Sequence, residues 1–199
     1  MRDILVVSIV LAGILATFKR PWIGVMLWTW LSIMNPHRYT WGFAYSAPLA
    51  AASAATLILA VFMTRDHESP FKGPPITFFA LFMAWMTISW LNGLDVSGDY
   101  EQWKEVMKID GMLFLSMAVL HSKKHIFALI WVSMGSLAIL GVKGGIFTVL
   151  TGGGSRVYGP PGSFIADNNE FALALVMIIP MLRFLQLQVG SRFGRIGLG

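Results

Sequence analysis

Apolar residues come in long uncharged runs along this chain, and the runs, more than any alternation, set its elements. Segments 4–18, 22–34, 47–63, 76–91, 111–120, 126–142 and 171–187 each read as helices for an apolar medium, where a span takes about 20 residues. The first two are short for that length and call for tilt, local thinning or a tight hairpin. Segment 4–18 has its charges, Lys19 and Arg20, after the run and no small-residue cleavage site, so it reads as a first span and not as a leader. The expected fold class is therefore all-α: a polytopic transmembrane helical bundle of about seven spans.

The polar positions divide these runs. Asn35-Pro36-His37-Arg38-Tyr39 breaks the second helix and opens an aromatic loop through Ser46, with Trp41 and Tyr45 placed as interfacial anchors. Segment 47–63, rich in alanine and serine, suits close helix packing. The mixed-charge loop 64–75 has no catalytic spacing. In 99–110, Tyr100, Trp103, Val106 and Met107 face one side of a helix against charged neighbours, which predicts a short amphipathic helix on the membrane surface. Glu101 and Glu105 each have a lysine three residues on, so helical ion pairing accounts for them better than acid–base work. Lys143-Gly144-Gly145 interrupts the sixth run, as a snorkelling lysine or as a break exposing backbone. Pro180 is expected to kink the seventh. The chain stops at Gly199 with no closing element, which reads as an interruption in a loop ahead of further spans.

Composition agrees with this pattern. Of 199 residues 56% are hydrophobic and 13% charged, far too apolar for an ordinary soluble domain. The net charge of +5 sits in loops, so topology explains it and nucleic acid is not an expected partner. The sequence has no cysteine, which excludes disulfides and thiolate sites. His37, His67, His121 and His125 lack metal-ligand spacing, and neither metal nor cofactor is expected. Lys19, Arg20, Arg65, Lys72, Lys123, Lys124, Arg192 and Arg195 collect on one side, making it cytoplasmic. The amino terminus, the 35–46 loop, the amphipathic helix and the loop from residue 151 then share the outer face.

That last loop, TGGGSRVYGPPGSFIADNNE at 151–170, carries the densest candidate chemistry. Gly152, Gly153 and Gly154 can take positive φ and turn backbone amides toward a ligand, while Pro160-Pro161 stiffens the exit. Arg156 is a permanent cation suited to phosphate oxygens. Asp167, Asn168 and Asn169 open the next helix, whose free amides form a second, weaker positive site. With Lys143 and Arg38 on the same face, the implied ligand is an amphiphile with an anionic head, which either an enzyme or a transporter would grip. The plainer readings are a cap at 167–169 and arginines that pair with lipid headgroups.

Segments RPWIGVMLWTWLSIMNPHRYTWGFAYS (20–46) and VKGGIFTVLTGGGSRVYGPPGSFIADNNEFALALVMIIP (142–180) resemble the amino-terminal half of exosortase-associated O-glycosylation ligases, within the O-antigen ligase and polymerase superfamily of bacterial inner-membrane proteins. The resemblance implies a metal-independent glycosyltransferase of the GT-C type. Such an enzyme moves a glycan from undecaprenyl diphosphate to a protein, lipid or saccharide acceptor at the periplasmic face. It implies diphosphate binding by Arg156 with Asn168 and Asn169. The family's later arginine and histidine would lie beyond Gly199, so the segment by itself is expected to be inactive. A polymerase, or a noncatalytic lipid-linked glycan transporter or membrane subunit, is the alternative.

Overall fold

Proline and asparagine set the first helix boundaries. Helix α1, Arg2–Lys19, gives way at an extended Arg20 to α2, Pro21–Met34, whose leading proline lacks an N–H that would go unsatisfied there anyway. Asn35 ends α2 in the left-handed conformation (φ 45°), its N–H donating to the Leu31 carbonyl at 3.1 Å. A 3-10 turn, Pro36–Tyr39, follows. The remaining helices are α3, Leu49–Thr64; α4, Pro74–Leu91; α5, Tyr100–Val119; α6, Lys123–Leu150; and α7, Asn168–Gln188. This computed structural model describes residues 2–64 and 74–190, and no strand occurs among them. Arg65, His67, Lys72, Arg192 and Arg195 lie outside the described residues.

Helix α2 is the centre of the packing and touches α1, α3, α5 and α6, while α7 lies along α6 and α4 along α5. The core follows that arrangement. Val25 and Met26 of α2 pack with Leu57 and Val61 of α3 and with Met112 and Val119 of α5. Leu27 and Leu31 pack with Val10 of α1. Gly24 is where three helices meet, since a Cβ there would stand 2.6 Å from Thr17 and 3.1 Å from Leu57. The stack of Trp22 on His125, centroids 4.8 Å apart, joins the start of α2 to the start of α6 and so puts Lys19, Arg20, Lys123 and Lys124 at one end of the molecule.

The helices differ from the expected spans in three ways. Helices α6 and α7 are long and apolar enough to cross a membrane; α2, α3 and stretch 75–91 of α4 are apolar but shorter. Residues 99–110 do not form a separate surface helix, because α5 runs unbroken from Tyr100 to Val119. Its aromatic stripe is used against α4. Trp103 stacks on Trp90 at 4.3 Å and its indole N–H donates to Thr87 Oγ1 at 3.3 Å, while the Thr87 hydroxyl lies 3.9 Å from Met107 Sδ. The lysines pair with Glu101 and Glu105 as the spacing implied, at 2.5 and 2.6 Å. Finally, α6 does not break at Lys143-Gly144-Gly145; its 28 residues make a rod about 42 Å long. Pro180 lies inside α7, which extends on both sides of it.

The described surface is rich in large apolar side chains. Along α4, Phe78, Phe82, Trp85 and Leu91 are all more than half exposed, and along α7 so are Leu173, Val176, Met177 and Ile179. Such a surface is a poor match to water.

Candidate functional site

The glycine run closes α6. Gly152 and Gly153, at φ 62° and 79°, turn the chain so that their N–H groups donate to the carbonyls of Val149 (3.3 Å) and Thr148 (2.9 Å). Gly154 donates to Thr151 at 3.4 Å. This is the usual solution to the unsatisfied carbonyls of a helix end. The amides expected to converge on an anion are spent on the helix, so this run is a cap and not a phosphate cradle.

Beyond Arg156 the loop folds back onto the molecule. Val157 fills the space left by Gly144, where a Cβ would lie 2.7 Å from Val157 Cγ1. Pro160 is fully buried, and Ile165 joins Leu137, Leu140, Phe171 and Ile178 in the core between α6 and α7. Gly159 N–H donates to the Ala166 carbonyl at 3.1 Å, closing an eight-residue loop whose tight neck admits no side chain: a Cβ on Gly159 would sit 1.8 Å from the Ile165 carbonyl. Across that neck, Arg156 stands three residues before Gly159, and Asn168 two after Ala166. Asp167 caps α7, its Oδ1 accepting from Asn169 N–H at 2.8 Å. The positive end of α7 therefore already carries a carboxylate, and Glu170 adds another in the first turn. Asn169 is exposed and Asn168 partly so, with only a long 3.4 Å contact between their side chains.

The Pro36–Tyr39 turn ties the distant cations to this loop. Asn35 Nδ2 donates to the Pro161 carbonyl at 2.9 Å, a bond across 126 residues. Beside it, the Arg38 guanidinium lies along Gly162, its Nε 3.6 Å from where a Cβ would be, an ordinary van der Waals contact. Arg38 lies 5.0 Å from the centre of the Tyr45 ring, and its buried Nε has no hydrogen-bond partner. Lys143 Nζ lies 4.0 Å from the centre of the Tyr39 ring. Arg38 is thus part of the turn whose next residue, Tyr39, holds Lys143, and Val157 at Gly144 sets the backbone of Arg156 beside the level of Lys143.

The electrostatics are one-sided. Among the described residues, none of Arg38, Lys143 and Arg156 has a carboxylate partner; the ion pairs are those of α5. The nearby Asp3 is engaged elsewhere, accepting from Gly42 and Ala44 N–H at 3.1 and 3.2 Å and pinning residues 41–46 to the start of α1. Burial, reinforced by the charge of Arg38, pushes the His37 imidazole below its ordinary value, and burial pushes the Tyr39 phenol up. Both are neutral around pH 7. The arrangement sets Arg38 and Lys143 against the rings of Tyr45 and Tyr39.

Sequence reasoning passed over Asn35, Tyr39 and Asp3. An asparagine ending an apolar run just before proline is a legible left-handed cap signal. Its reach to Pro161 leaves no local trace.

A helical bundle that brings Arg38 and Lys143 to one turn, with no carboxylate partner for either among the described residues, is the class that these features define. The chain belongs to the family described as "Family of unknown function (DUF5935)", which it matches over residues 1–189. No curated protein and no solved structure matches it.

Proposed function

We propose that this chain is the donor-binding region of a membrane-embedded glycosyltransferase of the O-antigen ligase type. The site grips the diphosphate of an undecaprenyl-diphosphate-linked glycan at the outer face of the bacterial inner membrane. The observation that carries the reading is the joint formed by Asn35–Pro161 and Arg38–Gly162, which locks the Arg38 turn against the Arg156 loop with Lys143 on the adjoining Tyr39. Three cations so placed, with Asn168 and Asn169 across the neck of the loop, suit the charge of a diphosphate. A leaving diphosphate stabilised in this way lowers the barrier to transferring the attached sugar.

The membrane part of the proposal draws support from helix length and surface. All seven helices are read as packed within or against the bilayer, the shorter ones with local thinning of the lipid around them. In α6, Lys123 and Lys143 are 20 residues apart, about 30 Å, the thickness of the hydrocarbon layer. Lys143 then sits at the outer interface, opposite the basic end formed by Lys19, Arg20, Lys123 and Lys124.

A second reading, a lipid-linked glycan transporter or noncatalytic membrane subunit, is favoured by the state of the nearby acids. Asp3 and Asp167 are both engaged with backbone amides, which leaves neither as a ready general base. One experiment separates the two. The intact protein in proteoliposomes, supplied with a lipid-linked glycan and an acceptor, should form glycoconjugate, and Arg156→Ala should reduce transfer at least a hundredfold with insertion unchanged. Translocation of the glycan without conjugate would establish the transport reading, and transfer at the wild-type rate in Arg156→Ala would remove Arg156 from the site.

A further inference from the structure

Among the described residues, His37 is the titratable side chain most enclosed by its surroundings, with 6% of its surface exposed. Its Nδ1 is buried and has no hydrogen-bond partner. Protonation would make that nitrogen a donor and put a charge on a buried ring, which is costly unless a carboxylate or water reaches it. The groups around the turn do not supply one. Arg38, on the turn itself, is the charge that bears on the imidazole. Lys143 of α6 borders the turn through the Tyr39 ring, and Tyr45 of the following loop lies against Arg38. From α1, Arg2 lines a hollow together with Pro36, Tyr39 and Thr40. Arg156 belongs to the loop to which the turn is tied. The carboxylate next to the turn, Asp3 of α1, accepts from the Gly42 and Ala44 amides.

The backbone of His37 is part of what closes the turn. Its carbonyl accepts from both the N–H and the hydroxyl of Thr40, at 3.1 and 2.7 Å. One residue on, the Arg38 N–H donates to the Asn35 carbonyl at 3.0 Å. Asn35 in turn holds the Pro161 carbonyl, and the Arg38 guanidinium lies along Gly162. Turning the imidazole out to water therefore undoes the bonds that keep Asn35 and Arg38 against the tip of the opposite loop. The turn has room for this, since a hollow of about 350 Å³ lies beside Pro36, Tyr39 and Thr40. The loop itself keeps its seat, because Val157 rests in the space at Gly144 and Ile165 is in the core between α6 and α7.

We propose that the Pro36–Tyr39 turn is an acid-operated latch: protonation of His37 opens it, frees Asn35 and Arg38 from Pro161 and Gly162, and draws Tyr39 away from Lys143. The latch rests on the geometry of the turn alone. Its consequence, that acid outside the membrane weakens capture of the diphosphate, rests on the donor-binding reading above. The sign follows from linkage. The solvated imidazole of the open turn binds a proton more readily than the buried one, so the ratio of open to closed turn rises as pH falls below the ordinary 6.5. For a single proton that rise is at most tenfold per pH unit.

Hydrogen exchange of the full chain in phospholipid nanodiscs, from about pH 7.5 to about pH 5 and corrected for the pH dependence of exchange itself, tests the latch. Protection of the Arg38 and Thr40 amides should fall by about three- to tenfold per unit below pH 6.5, while the buried amides of α3 and α6 keep theirs. His37→Gln should remove the dependence, and His37→Asn serves if that variant does not fold. Arg38→Gln keeps the imidazole but deletes the charge beside it, and should make the fall at least twofold shallower. Turn amides equally protected at both ends of the range, or falling as steeply in His37→Gln, would overturn the latch. So would a fall shared by α3 and α6. Inorganic diphosphate, as a probe for the head of the donor, should lose affinity over the same window more steeply in the wild type than in His37→Gln. The two readings fail separately. A turn that opens while diphosphate follows one pH curve in both proteins breaks the link to the donor site and leaves the latch; a loss of affinity specific to the wild type, with the turn still closed, removes the latch.

Discussion

At the scale of single residues, the site depends on a few side chains that couple distant parts of the chain. Asn35 supplies both a left-handed backbone and the bond to Pro161, and the two roles separate by substitution. Asn35→Gly keeps the backbone and should cost about 1 kcal/mol for the lost bond, and Asn35→Ala should cost about 1 kcal/mol more for the strained conformation, as read from thermal unfolding in detergent. Gly159→Ala should be harsher, about 2–3 kcal/mol, because the added methyl meets the Ile165 carbonyl and forces the loop neck open. His37 gives a pH dependence whose sign is fixed. Its folded value lies below the ordinary 6.5, so the unfolded chain binds the proton more readily, and stability is lost as pH falls from about 6.5 toward the folded value. The thermal midpoint should decline over that window, and His37→Gln should flatten the decline. The polar break at Asn35-Pro36 and the cap at Asp167 were both legible in the sequence, since each rests on local backbone chemistry. The Arg38–Gly162 contact was not, because nothing local records which loop a side chain will meet.

Helices show where periodicity informs and where it misleads. The stripe of Tyr100, Trp103, Val106 and Met107 correctly marks one apolar face, but a stripe does not name the surface that covers it, and here that surface includes α4. Trp103→Ala should cost on the order of 1 kcal/mol for the stack alone and loosen the α4–α5 pair, which would appear as faster hydrogen exchange confined to residues 76–119. Similarly, Lys143-Gly144-Gly145 looks like an interruption, yet the small residue at 144 serves to seat Val157. A Gly144→Leu variant should dislodge the loop by overpacking while leaving α6 intact, lowering the thermal midpoint without loss of helical signal in circular dichroism. Helix propensity alone favours leucine at that position, so a stabilised variant would show that the loop is not held there.

For the whole molecule, the absence of cysteine from the sequence makes topology directly measurable, since any introduced thiol reports without background. Single cysteines at positions 45 and 158 should react with an impermeant maleimide from the outer side of intact spheroplasts, and one at position 122 only after lysis; the opposite pattern would invert the orientation. Helical class was readable from the apolar runs, and the Trp22–His125 stack brings Lys19, Arg20, Lys123 and Lys124, four of the eight residues expected on the basic side, to one end. Span number was less readable, since length and hydropathy single out only α6 and α7. The rod of α6 also sets a ruler. Its part beyond Lys143 is about 10 Å long, and the loop that follows doubles back to the level of that lysine. On the donor-binding reading, host lipids with longer acyl chains would draw the ammonium toward the hydrocarbon and away from the headgroups, and capture of the donor should then vary with the chain length of the lipids around the protein.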